Sequence, residues 1–366
     1  MRNQPCRCTV FSTRMMHTFC LVAALCLLAA CSSGSTTPAG APINIPAPFA
    51  APATAAPTSR SDGLSDDEVR TLTSLAKVDD YPLYTMHYYG AYSQRSSSIE
   101  RNTDSAWACS LYAALGDASN LLYGRNFDWD YSPALLVFTA PPDGHATVSM
   151  VDIAYLGFAG DRATRLLDLS LTERRPLLNA LSIPFDGMNE RGLVVGMAAV
   201  PPGQMHPSPV RPTIGSLGVI RQMLDRASTV DEAVTIIQSY NIDFEGGPPI
   251  HYLIADRSGR AVLVEFYQGK LVILPNVSPW HLATNFLRAS VESANGQCWR
   301  YDAISQRLAE TQGRLTTQDA VALLERVSQN NTQWSIVYGL STGDVTVTMG
   351  RQYGKTHTFP TRPAIK

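Results

Sequence analysis

The sequence predicts an α+β fold built on antiparallel sheets, and three observations predict it. Strand-like runs are grouped first, helices follow as a group, and strands return before the chain ends. Grouping of this kind fits α+β, whereas a doubly wound parallel sheet alternates strand and helix regularly. No G-x-G-x-x-G follows a strand candidate, and no G-x-x-x-x-G-K-[ST] occurs. The first clear strand pair is closed by Gly116-Asp117-Ala118-Ser119-Asn120, whose residue types make a tight hairpin.

Taken in order, ordered sequence begins near Ser65. Ser65-Asp66-Asp67-Glu68 is a capping box, and Val69, Leu72, Leu75 and Ala76 follow at helical spacing. A tyrosine-rich stretch comes next (Tyr81, Tyr84, Tyr88, Tyr89, Tyr92), then a polar segment, 93–105, that reads as an exposed loop. Strands are predicted at Ala108 to Ala113, Leu121 to Trp129, 134–139, 146–153, 181–186 and 193–199. Helices are predicted at 216–227 and 230–239, the second capped by Thr229 with Glu232 three residues on. A strand meander covers His251 to Asp256, Ala261 to Tyr267 and Leu271 to Leu274. Two more helices, 299–310 and 317–328, precede strands at 334–340 and 344–350. No repeat of 20 to 50 residues is visible.

The start of the chain reads as an address. Arg2, Arg7 and Arg14 precede an apolar run from Thr18 to Ala30, which is too short to span a bilayer as a helix and fits a signal-peptide core. Leu28-Ala29-Ala30-Cys31-Ser32 resembles a bacterial lipobox. That resemblance implies lipidation of Cys31 and an exported protein anchored to the bacterial cell membrane; the alternative is an ordinary signal peptide that contains a cysteine. The expected organisation is therefore a signal peptide over 1–31, a Pro/Ala/Ser/Thr tether over 32–62, a propeptide or light chain over 63–108, and a catalytic domain over 109–366.

Charge and composition exclude several functions. With 29 basic against 31 acidic residues, no basic excess exists to follow a phosphate backbone, so nucleic acid is not an expected partner. Histidines at 17, 87, 145, 206, 251, 281 and 357 do not pair at ligand spacing, and no H-E-x-x-H or G-x-S-x-G occurs. Neither a metal nor a cofactor is expected. Of seven cysteines, only Cys109 and Cys298 follow the leader, so they form either one bridge or a reactive thiol and a bystander; Cys298 is read as a packed thiol.

A hairpin turning at 116–120 folds residue 109 back towards 125–128. Arg125 and Asp128, in Gly124-Arg125-Asn126-Phe127-Asp128-Trp129, then come beside Cys109. An arginine beside a thiol lowers its pKa, and the thiolate is the nucleophile. An α-amine on the same residue titrates at about 8 and suits a base working near neutrality.

This constellation resembles the choloylglycine hydrolase and penicillin V acylase family. Arg125 and Asp128 follow Cys109 by sixteen and nineteen residues. Phe185-Asp186-Gly187-Met188-Asn189-Glu190-Arg191-Gly192-Leu193, His251 to Asp256, Ala283-Thr284-Asn285-Phe286 and Arg300-Tyr301 follow in the family's order. The resemblance implies the Ntn-hydrolase αββα sandwich of two antiparallel sheets between helix layers. It implies Cys109 as an N-terminal nucleophile, Arg125 and Asp128 orienting its amine and thiol, Asn285 and the Asn189 region as oxyanion donors, and Arg300 completing the charge network. The segment before Cys109 is longer than a simple leader, which looks like the self-cleaving branch with acid-ceramidase-like and isopenicillin N acyltransferase-like members. Cleavage at Ala108–Cys109 is the expectation. The implied reaction is hydrolysis of a linear amide in a small N-acyl compound: penicillin V, a conjugated bile salt, an N-acyl-homoserine lactone or an N-acyl amine. Acyl transfer on the same fold, a solute-binding lipoprotein without catalysis, and a homo-oligomer stay open.

Overall fold

The computed structural model describes residues 63–91, 108–202, 206–244 and 247–361. The leader with Cys31, the tether and the 93–105 loop lie outside them. Among the described residues no helix is long and apolar enough to cross a membrane.

Helix α1 (Asp66–Thr73) starts where the capping box places it: Ser65 Oγ accepts from the Glu68 N–H, and the Glu68 carboxylate accepts from the Ser65 N–H. Ala76, expected on the helix, instead opens β1 (Ala76–Asp79), and Tyr84 and Tyr88 of the tyrosine-rich stretch lie in β2 (Leu83–Tyr88). Next come β3 (Ala108–Ala114), β4 (Leu122–Asp128), β5 (Ala134–Thr139) and β6 (Thr147–Asp152). Helices α2 (Gly160–Thr164) and α3 (Leu171–Arg174) are short and lead to β7 (Asp186–Asn189), β8 (Val194–Ala199) and β9 (Thr213–Gly215). Helices α4 (Gly218–Arg226) and α5 (Val230–Gln238) precede β10 (Asn241–Asp243), β11 (Ile250–Ala255), β12 (Ala261–Tyr267), β13 (Lys270–Pro275) and β14 (Trp280–Ala283). The chain closes with α6 (Trp299–Thr311), α7 (Thr317–Arg326), β15 (Thr332–Gly339), β16 (Asp344–Met349) and β17 (His357–Pro360).

One expected element is wrong. The 181–186 segment is not a strand: a 3₁₀ turn runs over Arg175–Ser182, and the strand begins at Asp186. Leu177, Leu178, Ala180 and Leu181 are buried from that turn, and Pro184 cannot donate to a ladder.

Two sheets face each other. The larger has nine strands in the order β1-β2-β5-β6-β7-β8-β11-β12-β13, and the smaller has six, β14-β3-β4-β15-β16-β17. Helices α4 and α5 pack on the larger sheet and α6 and α7 on the smaller, giving the αββα sandwich. Strand β4 is buried at all seven positions because it has a sheet on one side and helices on the other. The sheets pack tightly at Gly196, where a Cβ would meet the Tyr123 Oη at 2.5 Å; that hydroxyl donates to the Leu253 carbonyl at 3.0 Å. The sheets are not wholly antiparallel, since β2 runs parallel to β5 over six pairs. Parallel pairing needs a long crossover. Here the crossover contains β3 and β4, which belong to the other sheet, so no local pattern announces it.

Asp152, at the end of β6, accepts the Ala154 N–H at 2.9 Å and is buried, which pushes its carboxyl up to about 7. A raised acid pKa means that the folded state holds the proton more tightly. The contribution of this group to stability is then full below about pH 4 and is lost as pH rises to about 7. Asp152→Asn keeps the capping oxygen and removes the charge. We expect it to stabilise the fold by about 2–4 kcal/mol at pH 8 and by little at pH 4, read from urea unfolding at both values. An equal effect at the two pH values sinks this assignment.

Candidate active site

Strand β3 lies between β14 and β4, and Cys109 is its second residue, 2% exposed. The β3–β4 register pairs Cys109 with Phe127 and Leu111 with Arg125. Side chains alternate along a strand, so Cys109, Leu111, Arg125 and Phe127 share the face turned to the larger sheet. There the Arg125 Nη2 lies 3.9 Å from the Cys109 Sγ and 3.9 Å from the Met197 Sδ, while Nη1 donates to Asp186 on β7. The Tyr338 hydroxyl donates to the other Asp186 oxygen. Arg125 is wholly buried; burial lowers its pKa, but the Asp186 carboxylate more than restores it, so the guanidinium is charged. The thiol itself does not follow the expectation of a lowered pKa. Burial pushes it up and outweighs the Arg125 charge.

The backbone of Cys109 is held from another direction. Its N–H donates to the Asn285 Oδ1 at 2.7 Å. The same oxygen accepts the Arg300 Nη2 at 2.8 Å, and the Asn285 Nδ2 donates to the Ala199 carbonyl at 2.7 Å. Both groups facing Oδ1 can only donate, which fixes the orientation of the amide. Arg300, the second residue of α6 and fully buried, also donates through Nη1 to the Cys109 carbonyl at 2.5 Å, the Ser110 Oγ at 2.9 Å and Asp128 at 3.4 Å.

Asp128 stands on the opposite face of β4 from Arg125. Its carboxylate accepts from the Thr332 Oγ1 at 2.5 Å and the Gln329 Nε2 at 2.9 Å. Arg300, not Asp128, makes the hydrogen bond to Cys109, so Asp128 reaches that residue through Arg300 and through its charge, which helps to raise the thiol. Burial raises the Asp128 carboxyl, and Arg300 pulls against it.

Asn189 sits at the β7–β8 turn, but its side chain is not offered to a ligand. Nδ2 donates to the carbonyls of Leu224 and Ala227 at 2.9 and 2.7 Å, and Oδ1 accepts the N–H groups of Arg191 and Leu193. With both amide hydrogens committed, it corrects the expectation of an oxyanion donor: Asn189 closes the turn and ties it to α4.

The structure thus brings together Cys109, Arg125, Asn285, Arg300 and, one step removed, Asp128. Asp186, Ser110 and Tyr338 complete the network and were not singled out from sequence. A buried Arg125 demands a buried carboxylate, and that was the available signal for Asp186. Neither Cys109 nor Cys298 is in a disulfide. Among the described residues no group of three or more histidine, cysteine, aspartate or glutamate side chains is placed to hold a metal ion.

A sequence profile of the linear amide C–N hydrolases, choloylglycine hydrolase family, matches residues 109–300, from Cys109 to Arg300. Among solved structures, a mutant of conjugated bile acid hydrolase from Clostridium perfringens superposes with a TM-score of 0.50 at 14% identity, covering 69% of this chain and 92% of that one. Penicillin V acylase from Agrobacterium tumefaciens matches with a TM-score of 0.48 at 16% identity, over 66% of this chain and 83% of that one.

Proposed function

The chain belongs to the choloylglycine hydrolase family of linear amide C–N hydrolases, and from that premise we propose that it hydrolyses the amide bond of small N-acyl compounds with Cys109 as nucleophile, after cutting its own chain at Ala108–Cys109. The observation that carries this reading is the double hold on one residue: Arg125 on the sulfur side and Asn285 on the nitrogen side of Cys109.

Cutting begins when the Cys109 sulfur adds to the Ala108 carbonyl carbon. The C–N bond breaks, the nitrogen takes the thiol proton, and a thioester to Cys109 forms. Water then hydrolyses the thioester to a carboxylate on residue 108 and a free thiol. The freed α-amine inherits the position next to the Asn285 Oδ1. As a base it takes the thiol proton, and the thiolate, facing the Arg125 charge, attacks the amide carbonyl of the substrate. The second N–H of the Asn285 Nδ2 is a candidate donor to the resulting oxyanion. The ammonium returns its proton to the leaving nitrogen, and water clears the acyl-enzyme.

The segment before the cut is built into the fold. Leu64, Leu72, Leu83, Tyr84 and Met86 are fully buried, each contributing roughly 2 kcal/mol. The Tyr84 hydroxyl donates to the Ala163 carbonyl, and Asp79 pairs with His357 at 2.6 Å and Lys355 at 3.0 Å. On this reading the segment from 63 stays bound as a light chain. A lipid on Cys31 would hold the catalytic part at the membrane through that association alone.

N-terminal sequencing of purified protein, with hydrolysis assays on penicillin V, a conjugated bile salt and an N-acyl-homoserine lactone, tests the proposal. We expect a fragment beginning at Cys109 that separates from the light chain on a denaturing gel and co-migrates with it on a native column. Fully active protein with Ala108 and Cys109 still joined refutes the cut.

A further inference from the structure

We infer that Glu265, oriented by His251, is a positioning residue that fixes the loop carrying Asn285 and so sets the placement of the Cys109 nitrogen. The inference rests on the amidase reading above and deepens it.

Asn285 lies in the connection between β14 and a short 3₁₀ turn at Arg288–Ser290. Glu265, on β12, is wholly buried, and its carboxylate accepts the Arg288 N–H at 2.8 Å and the Ala289 N–H at 2.7 Å. It therefore clamps the far end of the connection three residues after Asn285. The near end is fixed by β14, which pairs with β3, the strand of Cys109. Between the two, the Phe286 ring packs edge-on to Tyr301, the neighbour of Arg300, at 5.2 Å. The Asn285 amide is thus bracketed by two anchors, and Glu265 is the one that no strand pairing supplies.

His251 explains why the clamp is an anion of fixed orientation. Its Nδ1 lies 2.9 Å from the Glu265 Oε1. Its Nε2 is buried without a hydrogen-bond partner, a desolvation cost that nothing at that atom offsets. An apolar side chain would avoid that cost at the same place, so what the imidazole supplies is the bond to Glu265. Burial pushes the Glu265 carboxyl up, but His251 and the two backbone donors more than offset it and leave it below its usual range. The ionised group accepts all three bonds and has no O–H of its own that would need an acceptor.

Glu265→Gln keeps the shape but turns an NH₂ group towards a donor. We expect kcat on whichever N-acyl substrate the enzyme turns over to fall about 10- to 100-fold, with KM within about 3-fold, because misplacement by an ångström is enough for such a loss. The rate of cutting at 108–109 falls with it. The deciding measurement is a double-mutant cycle with Asn285→Ala. If Glu265 acts through Asn285, adding Glu265→Gln to Asn285→Ala costs less than about 2-fold. Equal losses in both backgrounds overturn the inference. Should Glu265→Gln not fold, the pair His251→Phe and His251→Asn decides. Asparagine retains a donor at the Nδ1 position and restores kcat lost in the phenylalanine variant; equal kcat in the two overturns the inference. A wild-type protein that hydrolyses no N-acyl amide, or a Cys109→Ala chain that is still cut, strikes the amidase reading instead.

Discussion

Cys109→Ala is expected to leave the chain in one piece and to lower kcat/KM on any N-acyl substrate by at least about 10³-fold. On the proposed mechanism the sulfur is the group that both reactions would use, first to open the Ala108 peptide and then to carry the acyl group of the substrate. Alanine fits the site without strain, because Cys109 packs in the apolar interior between the two sheets. Loss of function would then not be loss of fold, which circular dichroism and an unfolding curve close to wild type would verify. Intact mass of the variant, beside an assay of turnover, completes the test. A variant that is cut, or that keeps more than a trace of turnover, removes the nucleophile from this account. Serine at 109 is the informative companion, since it keeps a nucleophilic atom but a weaker one. It should cut slowly, and any activity should appear only in the cut fraction.

Arg300→Met carries the second large effect, and it is chiefly one of stability. The guanidinium serves the Cys109 carbonyl, the Ser110 hydroxyl, Asp128 and Asn285 together, and none of it reaches solvent. Methionine approximates its length but supplies no donor. Asp128 would keep only Thr332 and Gln329, and an anion left without its cation in the interior typically costs about 3–5 kcal/mol. The sign with pH follows from the same group. Burial already raises the Asp128 carboxyl, and removing Arg300 raises it further. The variant's folded state then holds a proton that its unfolded state releases above about pH 4, so its stability deficit grows as pH rises. Urea midpoints at pH 5 and pH 8 read this directly. A deficit below about 1 kcal/mol at pH 8 shows that the network does not bear on stability as described.

Much of this arrangement was legible because it is local. The β3–β4 hairpin needs only a turn of suitable chemistry, and once it closes, the distance in sequence between Cys109 and Arg125 becomes a short distance in space. The capping box at Ser65 and the β15–β16 pair are legible for the same reason. What escaped is non-local. Strand β2 finds β5 across a crossover that crosses sheets, so Tyr81, Tyr84 and Tyr88 read as an aromatic stretch without a partner. Asp186 was visible as a residue but not as a counter-ion, since its partner is 61 positions away. Asn189 misled because an asparagine in a turn looks the same whether its amide faces a ligand or a helix end; only the carbonyls of Leu224 and Ala227 decide it. The thiol pKa misled because a charge at 3.9 Å is easy to infer and the loss of water around the sulfur is not.

Strand β2 occupies an interior place in the nine-stranded sheet, between β1 and β5. A gene engineered to start at Cys109 would therefore not yield the finished catalyst. It would lay bare the ladder of β5, a six-residue strand that is apolar at every position but Thr139, with no neighbour on that side, which is a template for aggregation. The upstream segment is an architectural component of the larger sheet whether or not the chain is cut after residue 108, and recombinant production has to supply it, either in the same chain or as a co-expressed fragment.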